Sequence, residues 1–177
     1  MRARIASVLA GVIAAAMLVP SSISAATYQD ANDTRSPLEI RSVSRSNIRN
    51  PARVRFELTT FSAWTFRRCL RAQELEDGCS IRFWLDTRGA PAWRPTGRGL
   101  DHWLVWGRHR CTLIDPEKLG VDAFGVARKT PDSVSCSIRR SKLDARKKMR
   151  WFAGTTWGFR DDGSFASDYA PDTGWYG

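Results

Sequence analysis

The sequence is poor in the residues and motifs from which most enzyme sites are built. It has two histidines, His102 and His109, and it contains no nucleophile elbow, zinc-binding helix motif or phosphate-binding loop. His102 alternates in phase with Leu104 and Trp106, which predicts a packed structural histidine. We therefore expect no catalytic residues and no enzyme activity. A carboxylate pair for glycoside hydrolysis leaves no sequence pattern, so a secreted hydrolase remains an alternative.

Long apolar runs are confined to the amino terminus. Arg2 and Arg4 precede an uncharged apolar stretch at residues 5–19, and Pro20 and several small residues follow. This pattern is typical of a secretory signal peptide cleaved after Ala26. The stretch is shorter than the roughly 20 residues of a transmembrane helix. We expect residues 1–26 to be removed and residues 27–177 to be secreted as one domain, with no transmembrane segment.

Cysteine is scarce, and all four cysteines lie in the predicted mature chain. Export would expose them to an oxidising compartment, which favours disulfides. Three pairings are open, and we favour Cys69–Cys79 with Cys111–Cys136 because local pairs close across hairpins and neighbouring strands. A metal site that uses these cysteines lacks the paired-ligand spacing of zinc sites.

Helical periodicity is almost absent, and alternation with a period of two takes its place. Val54, Phe56 and Leu58 alternate with polar residues, and similar runs recur as far as Trp157. One apolar and one polar face is typical of antiparallel strands that cover a core. The pattern predicts an all-β fold, an antiparallel β-sandwich of jelly-roll type with about eight strands. Asp- and Gly-rich tails at 27–37 and 161–177 are expected to wrap it.

Four segments carry a likeness to a known group of proteins. They are residues 30–43 (DANDTRSPLEIRSV), 83–89 (FWLDTRG), 101–106 (DHWLVW) and 168–174 (DYAPDTG). Together they resemble uncharacterised secreted proteins common in actinomycetes, which look like carbohydrate-binding and DOMON-like β-sandwich domains. The resemblance implies a fold and no activity. Glu39 stands where the pattern usually has aspartate.

The eight tryptophans suggest a ligand platform. Trp84 lies on the polar face of its predicted strand between Arg82 and Asp86, and Trp93 lies in a loop rich in proline and glycine. A sugar site needs a flat aromatic surface with polar groups at its rim, and these four residues could provide one. The alternative is that the tryptophans cap the ends of the sandwich, where they bury a large area.

The chain is basic, with a formal net charge of +10, and part of that charge is concentrated after the predicted strand at 133–139. The predicted basic patch comprises Arg139, Arg140, Lys142, Arg146, Lys147, Lys148 and Arg150. It could bind an anionic envelope polymer, or it could be a solvated connection between strands. Stacking aromatics are not interleaved with it, so we expect no specific nucleic-acid partner.

Carboxylates cluster near both ends of the predicted mature chain. Since the termini of sandwich domains often lie close together, Asp30, Asp33, Asp168 and Asp172 could form a calcium site. The alternative is that these residues stabilise turns by bonding their own backbone. No other cofactor is expected.

These patterns favour a secreted, non-catalytic module that binds an extracellular or envelope ligand, most plausibly a glycan. A secreted hydrolase that uses carboxylates is one alternative. A structural envelope protein held by its basic surface is another.

Overall fold

The structure is a computed structural model that describes the chain from residue 25 to residue 176, with gaps. The described residues are 25–34, 36–48, 52–67, 69, 79–87, 101–107, 110–116, 118, 120–143, 149–159, 165–171 and 174–176. The predicted signal peptide lies outside them except for Ala25 and Ala26, which belong to the first strand. Cleavage after Ala26 would leave Thr27–Gln29 to pair with the second strand.

The fold is all-β and antiparallel, as predicted. The strands are β1 (Ala25–Gln29), β2 (Ile40–Ile48), β3 (Arg53–Thr60), β4 (Ser80–Asp86), β5 (His102–Trp106), β6 (Arg110–Asp115), β7 (Gly120–Lys129), β8 (Ser133–Arg139), β9 (Arg150–Phe159) and β10 (Phe165–Ala170). They form one ten-stranded sheet in the order β1-β2-β3-β8-β7-β6-β5-β4-β9-β10, curled into a half-barrel. A jelly roll of about eight strands in two packed sheets is not confirmed.

Alternation along each strand decides which side faces the core. In β3, Val54, Phe56 and Leu58 are buried, whereas the residues between them are partly exposed. The concave side of the curled sheet encloses the core, and Phe83 and Trp151 pack there against Phe56. The convex side is therefore the side available to other molecules.

The two ends of the curled sheet are joined by side chains. The Ile40 backbone N–H donates a hydrogen bond to Asp168 Oδ2, and the Thr155 hydroxyl donates to the Leu38 carbonyl over 2.8 Å. Tyr28 of β1 stacks on Tyr176, with ring centroids 3.9 Å apart. The predicted tails thus contain two ordered strands, β1 and β10, one at each edge of the sheet, and these contacts form a seam that links β10 and β9 to β2.

Both predicted disulfides are present, with Cα–Cα distances of 5.0 Å for Cys69–Cys79 and 6.0 Å for Cys111–Cys136. The expectation of neighbouring strands was wrong in one respect: Cys111 lies in β6 and Cys136 in β8, and β7 runs between them. The bond crosses β7 at Gly125, where a Cβ atom would lie 2.6 Å from the Cys111 sulfur. Only glycine leaves room for this crossing.

Two further features bear on where the protein resides. Two disulfides indicate an oxidising compartment. Within the described residues, no helix is long and apolar enough to cross a membrane.

Candidate binding face

Trp84 and Arg82, two of the predicted ligand residues, lie on the convex face of β4. They alternate with Ile81, Phe83 and Leu85, which are buried in the core. Trp84 is paired with Trp103 of β5 on one side and with Phe152 of β9 on the other. Because directly opposed residues in antiparallel strands share a face, all three rings lie on the convex side.

The Trp84 indole is held by its aromatic neighbours. It stacks on Phe152 with ring centroids 4.6 Å apart and an interplanar angle of 6°, and Tyr169 of β10 lies 5.9 Å away. Gly154 makes this packing possible, because a Cβ atom there would lie 2.7 Å from Tyr169 and 2.8 Å from Trp84. Phe152 covers one face of the indole, so only the opposite face can stack on a ligand.

Asp86, the third predicted ligand residue, does not present its carboxylate to solvent. It is fully buried, and the Arg150 guanidinium donates two hydrogen bonds to its Oδ2 atom, one of them from Nε over 3.0 Å. Arg150 in turn lies 5.3 Å from the centroid of the Trp175 ring. Asp86 thus fixes Arg150 beside the aromatic residues. Trp93, the fourth predicted residue, lies outside the described residues.

The strand register extends this aromatic group across the sheet. We call the outward-facing residues of two adjacent rows the outer belt. The first row is Phe152, Trp84, Trp103, Ile114 and Val121, and the second is Tyr169, Gly154, Arg82, Val105, Thr112 and Phe124. Most of these positions are apolar, although the other face of the same strands covers the core.

On the other half of the sheet, the convex face is polar. The corresponding outward positions of β2, β3 and β8 are mainly serine and charged residues: Ser44, Ser46, Arg55, Glu57, Ser135 and Ser137. Antiparallel sheets commonly pair one apolar with one solvated face, as these strands do. The outer belt departs from this rule: Val121 and Phe124 are exposed at its β7 end, whereas Phe152 is buried and Trp84 and Trp103 are half-buried. Exposed apolar side chains that lie next to one another on a surface are a feature of interaction sites.

The part of the outer belt on β6 and β7 was missed by the sequence analysis. Val121 and Phe124 are 55% and 56% exposed, and Val126 in the next row is 51% exposed. The Arg110 guanidinium lies 4.3 Å from the centroid of the Phe124 ring. Alternation could not have found it, because Val121 and Phe124 are out of phase along β7 and share a face only through the register irregularity between them.

Three N–H donors near the outer belt have no hydrogen-bond partner among the residues that the structure describes. They are the Nε atom of Arg82 and the indole Nε1 atoms of Trp103 and Trp175, each shielded from solvent. Buried polar groups in folded proteins are nearly always hydrogen-bonded, so each unpaired donor needs an explanation. Since these atoms are shielded from solvent, they belong to the packing beneath the surface and do not present donors to a surface ligand.

One carboxylate of the proposed calcium site, that of Asp168, belongs to the seam. Asp168 is buried and accepts the Ile40 N–H, and burial raises its pKa to about 6, with Asp33 and Glu39 adding to the effect. Glu39 accepts the Thr34 backbone N–H over 2.9 Å and so fixes a turn. Across the described residues, no three His, Cys, Asp or Glu side chains come together as a metal site would require. Asp172 lies outside them.

His102 is buried on the core side, as predicted, and its Nδ1 atom lies 3.1 Å from an Asp122 carboxylate oxygen. Three other tryptophans, Trp64, Trp106 and Trp151, are also core residues. These three tryptophans therefore have a structural role in packing, whereas Trp84 and Trp103 lie on the convex face.

An open pocket of about 470 Å³ lies away from the outer belt, beside Trp64 and Phe66. Lys129 fills part of its wall: its Nζ atom lies 4.2 Å from the Trp64 ring centroid and donates to the carbonyls of Trp64 and Thr130. Burial lowers the pKa of Lys129. The ammonium is already bound by these groups, so the pocket offers an apolar hollow with little free polar chemistry.

The predicted basic patch is only partly described. Arg139, Arg140 and Lys142 are exposed at the end of β8 and in the short 3-10 helix that follows. Arg150 does not contribute to this exposed group, because its guanidinium pairs with Asp86 beside the outer belt. Arg146, Lys147 and Lys148 lie outside the described residues.

Comparisons with known proteins add no assignment to this geometry: no family model, curated protein or solved structure matches the chain. The outer belt is therefore interpreted from its own chemistry.

Proposed function

We propose that this protein is a secreted, non-catalytic module that binds an extracellular or envelope glycan on the Trp84 end of the outer belt. The observation that carries the proposal is the aromatic group of Trp84, Phe152 and Tyr169, which faces outward beside the Arg82 and Arg150 guanidiniums.

The chemistry of a sugar ring matches this surface. Its C–H faces are apolar and pack against aromatic rings, whereas its hydroxyl and ring oxygens accept hydrogen bonds at the rim. The half-exposed Trp84 indole supplies the apolar contact, and the Arg82 guanidinium two residues away on the same face supplies donors. A ligand site typically combines such an apolar surface with a few placed polar groups.

A polysaccharide pull-down with the secreted protein tests the proposal. Trp84→Ala should weaken binding about tenfold or more, equivalent to roughly 1.4 kcal/mol, because it removes the stacking surface. Phe61→Ala is the matched control, since Phe61 is an exposed aromatic residue that follows β3 and lies away from the outer belt. Wild-type binding in both variants, with both folds intact by circular dichroism, would contradict this site.

The same preparation separates the proposal from a structural envelope protein held by charge. Exposed ionic contacts are screened within about 8 Å at physiological ionic strength, so charge-held protein is released from cells by moderate salt. A stacked glycan complex should retain binding at that salt through its apolar contacts, even where ionic contacts are weakened, and should be released by competing soluble glycan.

A further inference from the structure

A second pair of an arginine and an aromatic ring lies at the β6–β7 end of the outer belt, well away from Trp84. Arg110 of β6 is exposed and lies over the Phe124 ring of β7. Phe124 is directly opposite Thr112, and Val126 is directly opposite Arg110. An arginine that covers a half-exposed ring keeps its N–H edge free to bind an acceptor while its face packs on the ring.

Neither Arg82 nor Arg110 has a carboxylate partner within the part of the chain that the structure describes. The two rows of the outer belt contain no acidic residue, and the nearby Asp86 is occupied by Arg150. Arg82 is also partly buried among apolar neighbours, with its Nε donor unpaired. A guanidinium in such surroundings is stabilised by an anionic partner, which it binds through charge-assisted hydrogen bonds.

The spacing of the two guanidiniums restricts the size of that partner. Arg82 and Arg110 are two strands apart and offset by two residues along the strand. With strands about 4.8 Å apart and a rise of about 3.4 Å per residue, their Cα atoms are roughly 12 Å apart. One small anion does not span this distance, whereas a chain with repeated anionic groups does.

We infer that the outer belt binds an acidic polysaccharide, a chain of sugar rings that carry carboxylates. The chain crosses the strands from Trp84 on β4 to Phe124 on β7. Sugar C–H faces pack on the apolar row, and the carboxylates pair with Arg82 and Arg110. This inference rests on the proposed function and adds to it the charge of the ligand and a second contact region.

The composition of the outer belt favours this ligand over other anionic polymers. Single-stranded nucleic acid needs successive open aromatic faces on which bases stack. Here the aliphatic residues Val105, Ile114 and Val121 lie between the rings, and Phe152 and Arg110 already cover one face of Trp84 and Phe124. Aliphatic and aromatic side chains both suit the C–H face of a sugar.

Binding to immobilised polygalacturonate, compared with its fully methyl-esterified form, tests the inference. The two polymers share a backbone and differ in charge, so wild-type protein should bind the acidic form at least tenfold more tightly. Arg110→Gln should remove most of that difference, because it should weaken binding to the acidic form far more than binding to the esterified form. Arg55→Gln is the matched control, because it removes the same charge from the polar outward face of β3.

Chain length and a second variant complete the test. Long oligogalacturonates should compete for binding, whereas the monomer should not, because it cannot reach both arginines. If Arg110→Gln is poorly folded, Arg82→Lys provides a second test. This variant keeps the positive charge but loses the planar guanidinium, so it should weaken binding to the acidic polymer.

The outcomes separate the two proposals. Equal binding to both polymers, or equal effects of Arg110→Gln and Arg55→Gln, would overturn the acidic ligand and leave glycan binding standing. Tighter binding to single-stranded DNA than to polygalacturonate would replace it with a nucleic-acid ligand. Absence of binding to every polysaccharide would overturn the proposed function as well.

Discussion

Gly125 offers the sharpest test of how this sheet is built, because a disulfide passes directly over it. A Cβ atom at Gly125 would lie 2.6 Å from Cys111 Sγ, 2.9 Å from Cys136 Sγ and 2.6 Å from Ile138 Cδ1. Favourable contacts between heavy atoms lie at about 3.5–4.0 Å, so each of these atoms would have to move. Two of them are covalently joined and fully buried.

We predict that Gly125→Ala lowers the free energy of unfolding by about 1–3 kcal/mol, the usual cost of overpacking a well-filled core. The loss of glycine entropy in the unfolded chain offsets only about 0.4–1 kcal/mol of the strain. For a domain of this size, each kcal/mol corresponds to roughly 2–4 °C in Tm. Urea unfolding followed by tryptophan fluorescence measures the change.

Gly120→Ala is the control on the same strand. A Cβ atom there has its nearest neighbour at 3.8 Å, an ordinary contact, so this variant should retain or slightly exceed wild-type stability. If Gly125→Ala is as stable as Gly120→Ala, the disulfide does not cross β7 where the structure places it.

A double-mutant cycle identifies the sulfurs as the cause. When Cys111 and Cys136 are both alanine, Ile138 is the only one of the three close neighbours that remains, and its terminal methyl can rotate away. The cost of Gly125→Ala should then fall by about 1 kcal/mol or more, a coupling typical of residues in contact. An unchanged cost in this background would refute the reasoning.

Three other perturbations test the disulfides, the seam and the outer belt. Removing Cys111–Cys136 should reduce stability more than removing Cys69–Cys79, since loops of 25 and 10 residues correspond to about 3.5 and about 2.7 kcal/mol; equal losses in urea would contradict this ranking. The raised pKa of Asp168, about 6 against 3.8, means that the folded state holds this proton more tightly than the unfolded state. Stability should therefore fall as pH rises from about 4 to about 6, by at most roughly 3 kcal/mol, and Asp168→Asn should be more stable than wild type at pH 7 but not at pH 4; parallel pH profiles would refute it. Gly154→Ala should displace the Trp84 ring and weaken glycan binding, and unchanged affinity would show that this ring position does not matter.

The pattern of the sequence predicted much of the local structure correctly. Alternation placed strands at 54–58, 81–85 and 133–139, and the inward face shared by His102, Leu104 and Trp106 was assigned correctly. The reason is that a strand has a period of two, so local residues alone decide which side chains share a face. β1 and β10 were mistaken for tails because they are strands of five and six residues at the sheet edges, too short for alternation to be distinct.

The candidate site could be predicted only in part. Arg82 and Trp84 were placed on one face because they lie two residues apart in one strand. Their connection to Phe124 and Arg110 depends on strands that are distant in sequence, so no local pattern contains it. Asp86 was expected to meet a ligand, but its partner Arg150 is 64 residues away, and their pairing became apparent only in the fold.

The sequence by itself therefore determined most of the strands between the two edges, their inward faces and the two disulfide pairings, because these follow from local periodicity and short loops. The tertiary structure decided the order of the strands, the crossing of one disulfide over β7 and the side-chain seam between β2 and β10. It also decided that half of the convex face is apolar and half polar. That division arises from the register between strands that are far apart in the chain. Burial of apolar side chains on the concave side fixes the register. The register in turn decides which outward residues become neighbours, and no local sequence pattern constrains those residues.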